Sequence, residues 1–219
     1  EARQKLKEGI VFFKLKVGVK PVEAEIESAV AIREALGPKV LLCADANTGF
    51  DYITADRFLA GARKADLAFL EQPMKPKELA ALRRLSRTHA TPIGCDEAIH
   101  GLEDIEANAD HGAGGLSLKL IKFGGPAALL SAAALCERRG LQMNLAAKIA
   151  ETSIAAVASG HMACMIPSCN WGVSLTHIYL ADDLVKQPLG LTDGVFMPPV
   201  GPGLGIDVDE AAVERCAVR

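Results

Sequence analysis

Short apolar, β-branched runs alternate with longer helical patterns along this chain at a spacing of roughly 25 residues. No other feature constrains the fold as strongly. Two parallel strands need a crossover of about a dozen residues or more, usually a helix, so the alternation specifies repeated β-α units and a parallel sheet. Seven strands are legible, over 11–17, 40–46, 68–72, 92–97, 116–121, 141–146 and 171–175. The clearest helix follows the first of them, in PVEAEIESAVAIREALG. There Pro21 suits a first turn, Val22, Ile26, Ala29 and Val30 share one face, and Gly37 can close the C-terminus. Similar patterns cover 53–64, 77–87, 102–109, 124–139 and 152–164.

The expected fold class is therefore α/β, a TIM-type (β/α)7β barrel that is incomplete here. Seven strands fall one short of the usual eight, and the chain opens on a helix remnant, so a first barrel strand is expected to lie upstream. Residues 1–190 are expected to form the catalytic barrel. Residues 191–219, with the Pro- and Gly-rich DGVFMPPVGPGLGIDVDE, are expected to form an irregular C-terminal return segment over its surface.

A hydrophobic content of 50% allows a sizeable core, and a formal net charge of -3 with a pI near 6.0 supplies no basic field. Nucleic acid and anionic membranes are excluded as expected partners. The N-terminal EARQKLKEG has no apolar signal segment and no run reaches bilayer length, which sets a soluble, cytoplasmic protein as the expectation. The six cysteines show no CxxC pair or zinc-like spacing and read as small buried hydrophobes. The five histidines lack ligand spacing. His161 reads as a core or interface residue, and His177, beyond the last strand, as a loop residue. Trp171 reads as packing between barrel and helices.

Active sites of such barrels lie at the C-terminal ends of the strands. Late in the runs stand Lys14 and Lys16, then Asp45 and Asn47, Glu71, Asp96 and Glu97, and Lys119. Neighbouring parallel strands are about 4.8 Å apart, so Asp45, Glu71 and Asp96 can converge on one ion, and an oxygen-only ligand set favours Mg²⁺ or Mn²⁺ over zinc. Lys14 and Lys16, two apart on one strand, point to the same face. Burial and mutual repulsion would lower their proton affinity, with Lys16 as general base and Lys14 as its tuner. Lys119 approaches from across the barrel. Two bases on opposite faces suit 1,1-proton transfer α to a carboxylate, through an enediolate that the metal stabilises. Lys122 is left outside this catalytic set, and KFGG reads as a tight turn and not a phosphate site.

FKLKVG, ADAN, LEQP, CDEA, LKLIKFGG and the closing PGLG, in this order at barrel spacing, resemble the muconate lactonizing enzyme and mandelate racemase-like subgroup of the enolase superfamily. The resemblance runs nearly end to end. It implies Lys16 and Lys119 as acid/base catalysts with Lys14 as helper, Asp45, Glu71 and Asp96 as Mg²⁺ ligands, and Asn47 and Glu97 as supporting residues. It also implies that Glu151 lies near substrate, although the flanking AAKIAETS departs from the Gly-rich turn expected there. An N-terminal capping domain, on which the C-terminal segment would also pack, and a homo-oligomer are further implications.

The leading expectation for function is a Mg²⁺-dependent racemase or epimerase of an amino-acid derivative, with a proline derivative hinted at by WGVSLTHIYLADDLV. A muconate-type cycloisomerase or an acid dehydratase is the alternative within the superfamily. An inactive barrel fragment serving as a subunit or binding module is the alternative from another class. In each enzymatic case the partner is a small carboxylate substrate.

Overall fold

The computed structural model describes residues 1–187 and 189–217, so Pro188 and the last two residues of the expected C-terminal segment lie outside the described residues. The elements alternate as α1 (Ala2–Lys7), β1 (Phe12–Lys16), α2 (Val22–Leu36), β2 (Leu41–Asp45), α3 (Tyr52–Gly61) with a 3₁₀ turn (Ala62–Ala65), β3 (Leu70–Glu71), α4 (Leu79–Thr88) and β4 (Ile93–Cys95). They continue as α5 (Leu102–Asp110), β5 (Gly115–Leu118), α6 (Leu120–Phe123), α7 (Pro126–Arg138), β6 (Gln142–Ala146), α8 (Ser153–Met165), β7 (Val173–Ser174) and, after a 3₁₀ turn (His177–Tyr179), α9 (Glu210–Cys216). All seven strands are parallel and follow sequence order from β1 to β7 in one sheet. The sheet curls into a half-barrel: a side chain at Gly172, ahead of β7, would come within 2.9 Å of the Phe12 ring on β1.

Alternation along each strand divides the sheet into an outer face under the helices and an inner face. The outer face holds the main core, with Leu42, Ala44, Leu70, Ile93, Leu116, Leu118, Met143 and Leu145 under Ala29, Phe58, Leu85, Ile105 and Leu129 of the helices. Two buried charged residues tie the first β-α unit together. Arg33 has no acidic partner among the described residues and instead donates to the carbonyls of Ala65, Gly37, Val40 and Asp66 at 2.7 to 3.0 Å. Glu25, 3% exposed, gathers the N–H groups of Gly18, Val19 and Lys20 at 2.8 to 2.9 Å, and so fixes the turn that leaves β1.

The inner face is graded from apolar to charged. At its floor Trp171 stacks on Phe69 at 4.1 Å, beside Cys43, Phe12 and Leu41. Trp171 is therefore a plug inside the half-barrel, and not a wedge between barrel and helices as its place at a strand's start suggests. Gly94 and Gly115 make room for it, since a Cβ there would stand 3.1 and 2.6 Å from the indole. Above the floor lies a neutral pair, Ser117 donating to Asn144 at 3.3 Å. The charged residues occupy the C-terminal rim.

Three expectations are corrected. The strand read over 116–121 ends at Leu118, where its ladder to β6 ends, and Leu120–Phe123 is a helical turn closed by Gly124 and Gly125, both at positive φ. The C-terminal segment is not irregular throughout: Asp209 accepts the Ala212 N–H and caps α9. Cys43, Cys95 and Cys136 are buried as expected, but Cys164 and Cys216 are exposed, Cys164 on the outward side of α8.

Trp171 is the single tryptophan, so its emission reports on the floor. Gly115→Ala should crowd both the indole and the Gln142 carbonyl of β6, shifting that emission and lowering stability by about 1–3 kcal/mol in urea titration, while Gly190→Ala, which meets open space, should stay within about 0.5 kcal/mol. Glu25→Ala should cost about 2–3 kcal/mol by orphaning three N–H groups. An unchanged urea midpoint in Glu25→Ala would show that water replaces the carboxylate.

Candidate functional site

Strand register brings the expected residues to one rim. Lys16 is the parallel partner of Asp45, and Asp45 of Glu71. Glu71 faces Gly94, so Asp96 stands one inward-facing position further along, just beyond β4. Asp45, Glu71 and Asp96 are all buried, at 2%, 0% and 2% exposure. An unmet carboxylate is costly at such depth, and each one has a lysine. Lys14 donates to Glu71, Lys16 to Asp45 at 2.5 Å, Lys119 to Asp96 Oδ2 at 2.5 Å and Lys122 to Asp96 Oδ1 at 2.7 Å.

The two supporting residues join the same network. Asn47 Oδ1 accepts from Lys16 Nζ at 2.7 Å, and its amide donates to Glu97 Oε1 at 3.0 Å. Asn47 and Thr48 adopt positive φ, which turns the chain sharply after β2. Glu151 is elsewhere on the rim. It accepts the Lys148 N–H at 2.7 Å, its own N–H donates to Thr176, and no hydrogen bond joins it to the lysine and carboxylate row. His177 is buried, donating to the Leu189 carbonyl at 3.0 Å with its ring edge-on to Phe196, which is a seat for the C-terminal segment. His161 makes a single 3.3 Å contact to the Leu204 carbonyl.

The electrostatics correct one inference from sequence. Two lysines on one face should repel and weaken each other's protons, but the Lys14 ammonium is strengthened. Its burial works the other way, and the charges of Glu71 and Asp45 outweigh that burial. Lys16 is not in the barrel's dry interior either, because its side chain is 62% exposed. Burial pushes the Glu71 carboxyl up, opposed by Lys14 and reinforced by Asp45. Asp96 differs: burial opposes its ionisation, but the bonds from Lys119 and Lys122 hold its carboxyl below the usual range.

As they lie, no three His, Cys, Asp or Glu side chains among the described residues share one ion-binding position. The row nevertheless fits a hard cation. Glu71 Oε1 is buried with no hydrogen-bond partner among the described residues, it lies beside Asp45 in register, and the donors are all carboxylate oxygens. Lysine ammonium groups supply the counter-charge in the present arrangement.

Two residues of the site are not legible from the sequence. Lys122 and Lys119 are three apart, which in a strand sends them to opposite faces, whereas the helical turn of α6 brings both onto Asp96. Gln72, expected as the last residue of a strand, is 4% exposed at φ +34°, and its side chain accepts the N–H groups of Asp96 and Ala98. The signal that could have found Lys122 is the Gly pair at 124–125, which needs a turn to close.

Comparison with known proteins agrees with this architecture. A chloromuconate cycloisomerase of Pseudomonas sp. (strain P51) is 30% identical over 205 residues, which cover 93% of this chain and 55% of that protein. Muconate cycloisomerase 1 of Pseudomonas putida is 31% identical over 209 residues, with 94% and 56% covered. The solved structure of the muconate lactonizing enzyme from Pseudomonas putida superposes with a TM-score of 0.92 at 31% identity, covering 98% of this chain and 60% of that one. The chain thus spans little more than half the length of the curated relatives it matches. Since the sequence pattern of the enolase C-terminal domain-like family also matches residues 1–212, the chain belongs to that family, within the enolase superfamily.

Proposed function

We propose that this rim transfers a proton at the carbon next to a substrate carboxylate, with a divalent cation, Mg²⁺ or Mn²⁺, held by Asp45, Glu71 and Asp96. One observation carries the reading: Lys16 and Lys119 reach the buried carboxylate row from β1 and from beyond β5, strands on opposite sides of the curled sheet. A carboxylate substrate over the row lies between the two ammonium groups. When bound, the cation would stabilise the negative charge that develops on the substrate carboxylate as the α-proton leaves. Lys16 Nζ, oriented by Asn47, and Lys119 Nζ are the atoms that take up or return the proton. Lys14 donates to Glu71 below them and offsets its charge.

Among reactions of this type, cycloisomerisation of a muconate-like diacid is the form we favour, with one lysine moving the proton and the other holding charge. The relatives named muconate and chloromuconate cycloisomerase support it, as does the muconate lactonizing enzyme of Pseudomonas fluorescens solved with muconolactone, 29% identical with a TM-score of 0.92. The opposed lysines support a second form, two-base racemisation or epimerisation of an amino-acid derivative.

Exchange of the α-proton in D₂O, followed by NMR with Mg²⁺ over muconolactone, N-substituted amino acids and proline derivatives, tests both. In the favoured form one of the two variants Lys16→Ala and Lys119→Ala should slow exchange by about 10²–10⁴-fold, and in the second form both should. Loss in only one of them identifies a cycloisomerase, loss in both with opposite stereochemical preference identifies an epimerase, and exchange surviving both rejects the lysine roles.

Metal dependence can be read without turnover. Mg²⁺ at about 100 times its Kd should stabilise the chain by about 2.7 kcal/mol, an effect that a chelator removes. Glu71→Gln should abolish the gain, and full Mg²⁺ stabilisation in that variant would exclude Glu71 as a ligand.

A further inference from the structure

Asp96 is held differently from its two neighbours in the row. Asp45 and Glu71 lie within the sheet and are fixed by the ladder. Asp96 is one residue past the end of β4, so no strand partner fixes its peptide groups. Side chains take over. Gln72 Oε1 accepts the Asp96 N–H at 2.9 Å and the Ala98 N–H at 3.0 Å. Lys122 Nζ donates to the Asp96 carbonyl at 2.6 Å and to its Oδ1 at 2.7 Å, beside the Ile99 N–H, which meets the same carbonyl at 2.9 Å.

Both braces are themselves anchored. Gln72 donates through Nε2 to the Met74 carbonyl at 2.7 Å and through its backbone N–H to the Gly94 carbonyl at 2.8 Å. Its positive φ is a conformation that non-glycine side chains seldom adopt, and it aims the amide at the residues following β4. Lys122 is carried by α6 and its side chain is only 13% exposed. Lys119, by contrast, hydrogen-bonds Asp96 at Oδ2, and among the described residues no hydrogen bond joins it to the Asp96 backbone.

We propose that Gln72 and Lys122 are positioning residues that fix Asp96 from the two sides of its backbone and aim its carboxylate at the cation site. This rests on the reading of Asp45, Glu71 and Asp96 as metal ligands. Groups that orient a ligand are worth about 10–100-fold in metal affinity. The bland role for Lys122, neutralising Asp96, makes the opposite forecast. Removing a positive charge beside a cation site tightens cation binding by Coulomb's law, whereas removing a brace loosens it.

The test is Mn²⁺ binding to the full chain, with free Mn²⁺ counted by electron paramagnetic resonance, and folding of every variant checked by circular dichroism and Trp171 emission. Lys122→Met should weaken Mn²⁺ binding by about 10–100-fold. Lys119→Met, which also removes one positive charge from Asp96, should instead tighten it several-fold. Gln72→Met, which changes no charge, should weaken binding by about tenfold or more. Should Lys122→Met not fold, Lys122→Gln replaces it with the same expected weakening. Unchanged or tighter binding in the Lys122 variant, or equal weakening in Lys122→Met and Lys119→Met, overturns the Lys122 brace, and unchanged binding in Gln72→Met overturns the Gln72 brace. Absence of Mn²⁺ binding by the unaltered chain would overturn the metal reading itself, a result distinct from these.

Discussion

Asp45 and Glu71 are direct partners in adjacent parallel strands, so the backbone ladder fixes two carboxylates side by side on the inner face of the sheet. Both are buried, and neither can move away from the other without breaking a β-ladder. The rest of the rim answers that charge. Lys14 and Lys16 come from the strand on one side, and Lys119 and Lys122 meet Asp96 on the other. Even so, Glu71 keeps one oxygen without a hydrogen-bond partner among the described residues. A buried acid that its lysine leaves partly unmet is a poor stabilising device, since buried ion pairs seldom repay their desolvation, and it is a good place for a cation.

The inner face makes such an arrangement tolerable by its grading. Trp171, Phe69, Phe12 and Cys43 close the floor, Ser117 and Asn144 form a neutral middle, and charge is confined to the rim. The indole in particular demands glycine at 94 and 115, two positions whose outer neighbours Ile93, Cys95 and Leu116 belong to the core under the helices. Packing of the floor and geometry of the rim are therefore set by the same strands. The turns that leave the strands carry backbone strain, with Asn47, Thr48, Gln72 and Ala150 all at positive φ. Such conformations persist where surrounding contacts over-determine them, as the bonds to Lys16, Glu97, Asp96 and Met74 do for Asn47 and Gln72.

Much of this is legible in the sequence. The strands over 11–17, 40–46, 68–72, 92–97 and 141–146 each contain the observed one, because a strand buried on both faces leaves an apolar run bounded by Gly, Pro or polar turns. The rim followed from the rule that sites of this fold class lie at strand C-termini. Errors arose where one residue's surroundings come from several elements at once. Trp171 was misplaced because nothing local says that two glycines on other strands open a space inside the barrel. The weakening expected for Lys14 is reversed because Glu71, the acid it bonds, lies 57 residues away in sequence.

The sequence by itself determined the parallel β-α order, the inward parity of Lys14, Lys16, Asp45 and Glu71, and the family resemblance, because strand period and chemical type are properties of short stretches. Only the tertiary structure decided how those groups pair. It ended β5 at Leu118 so that Lys122 swings onto Asp96, set Gln72 against the peptide that carries Asp96, and left Glu151 bonded to its own loop. The physical reason is that the charge and hydrogen-bond balance of a buried group depends on everything within a few ångströms of it, and those neighbours are supplied by chain crossings that no local pattern records.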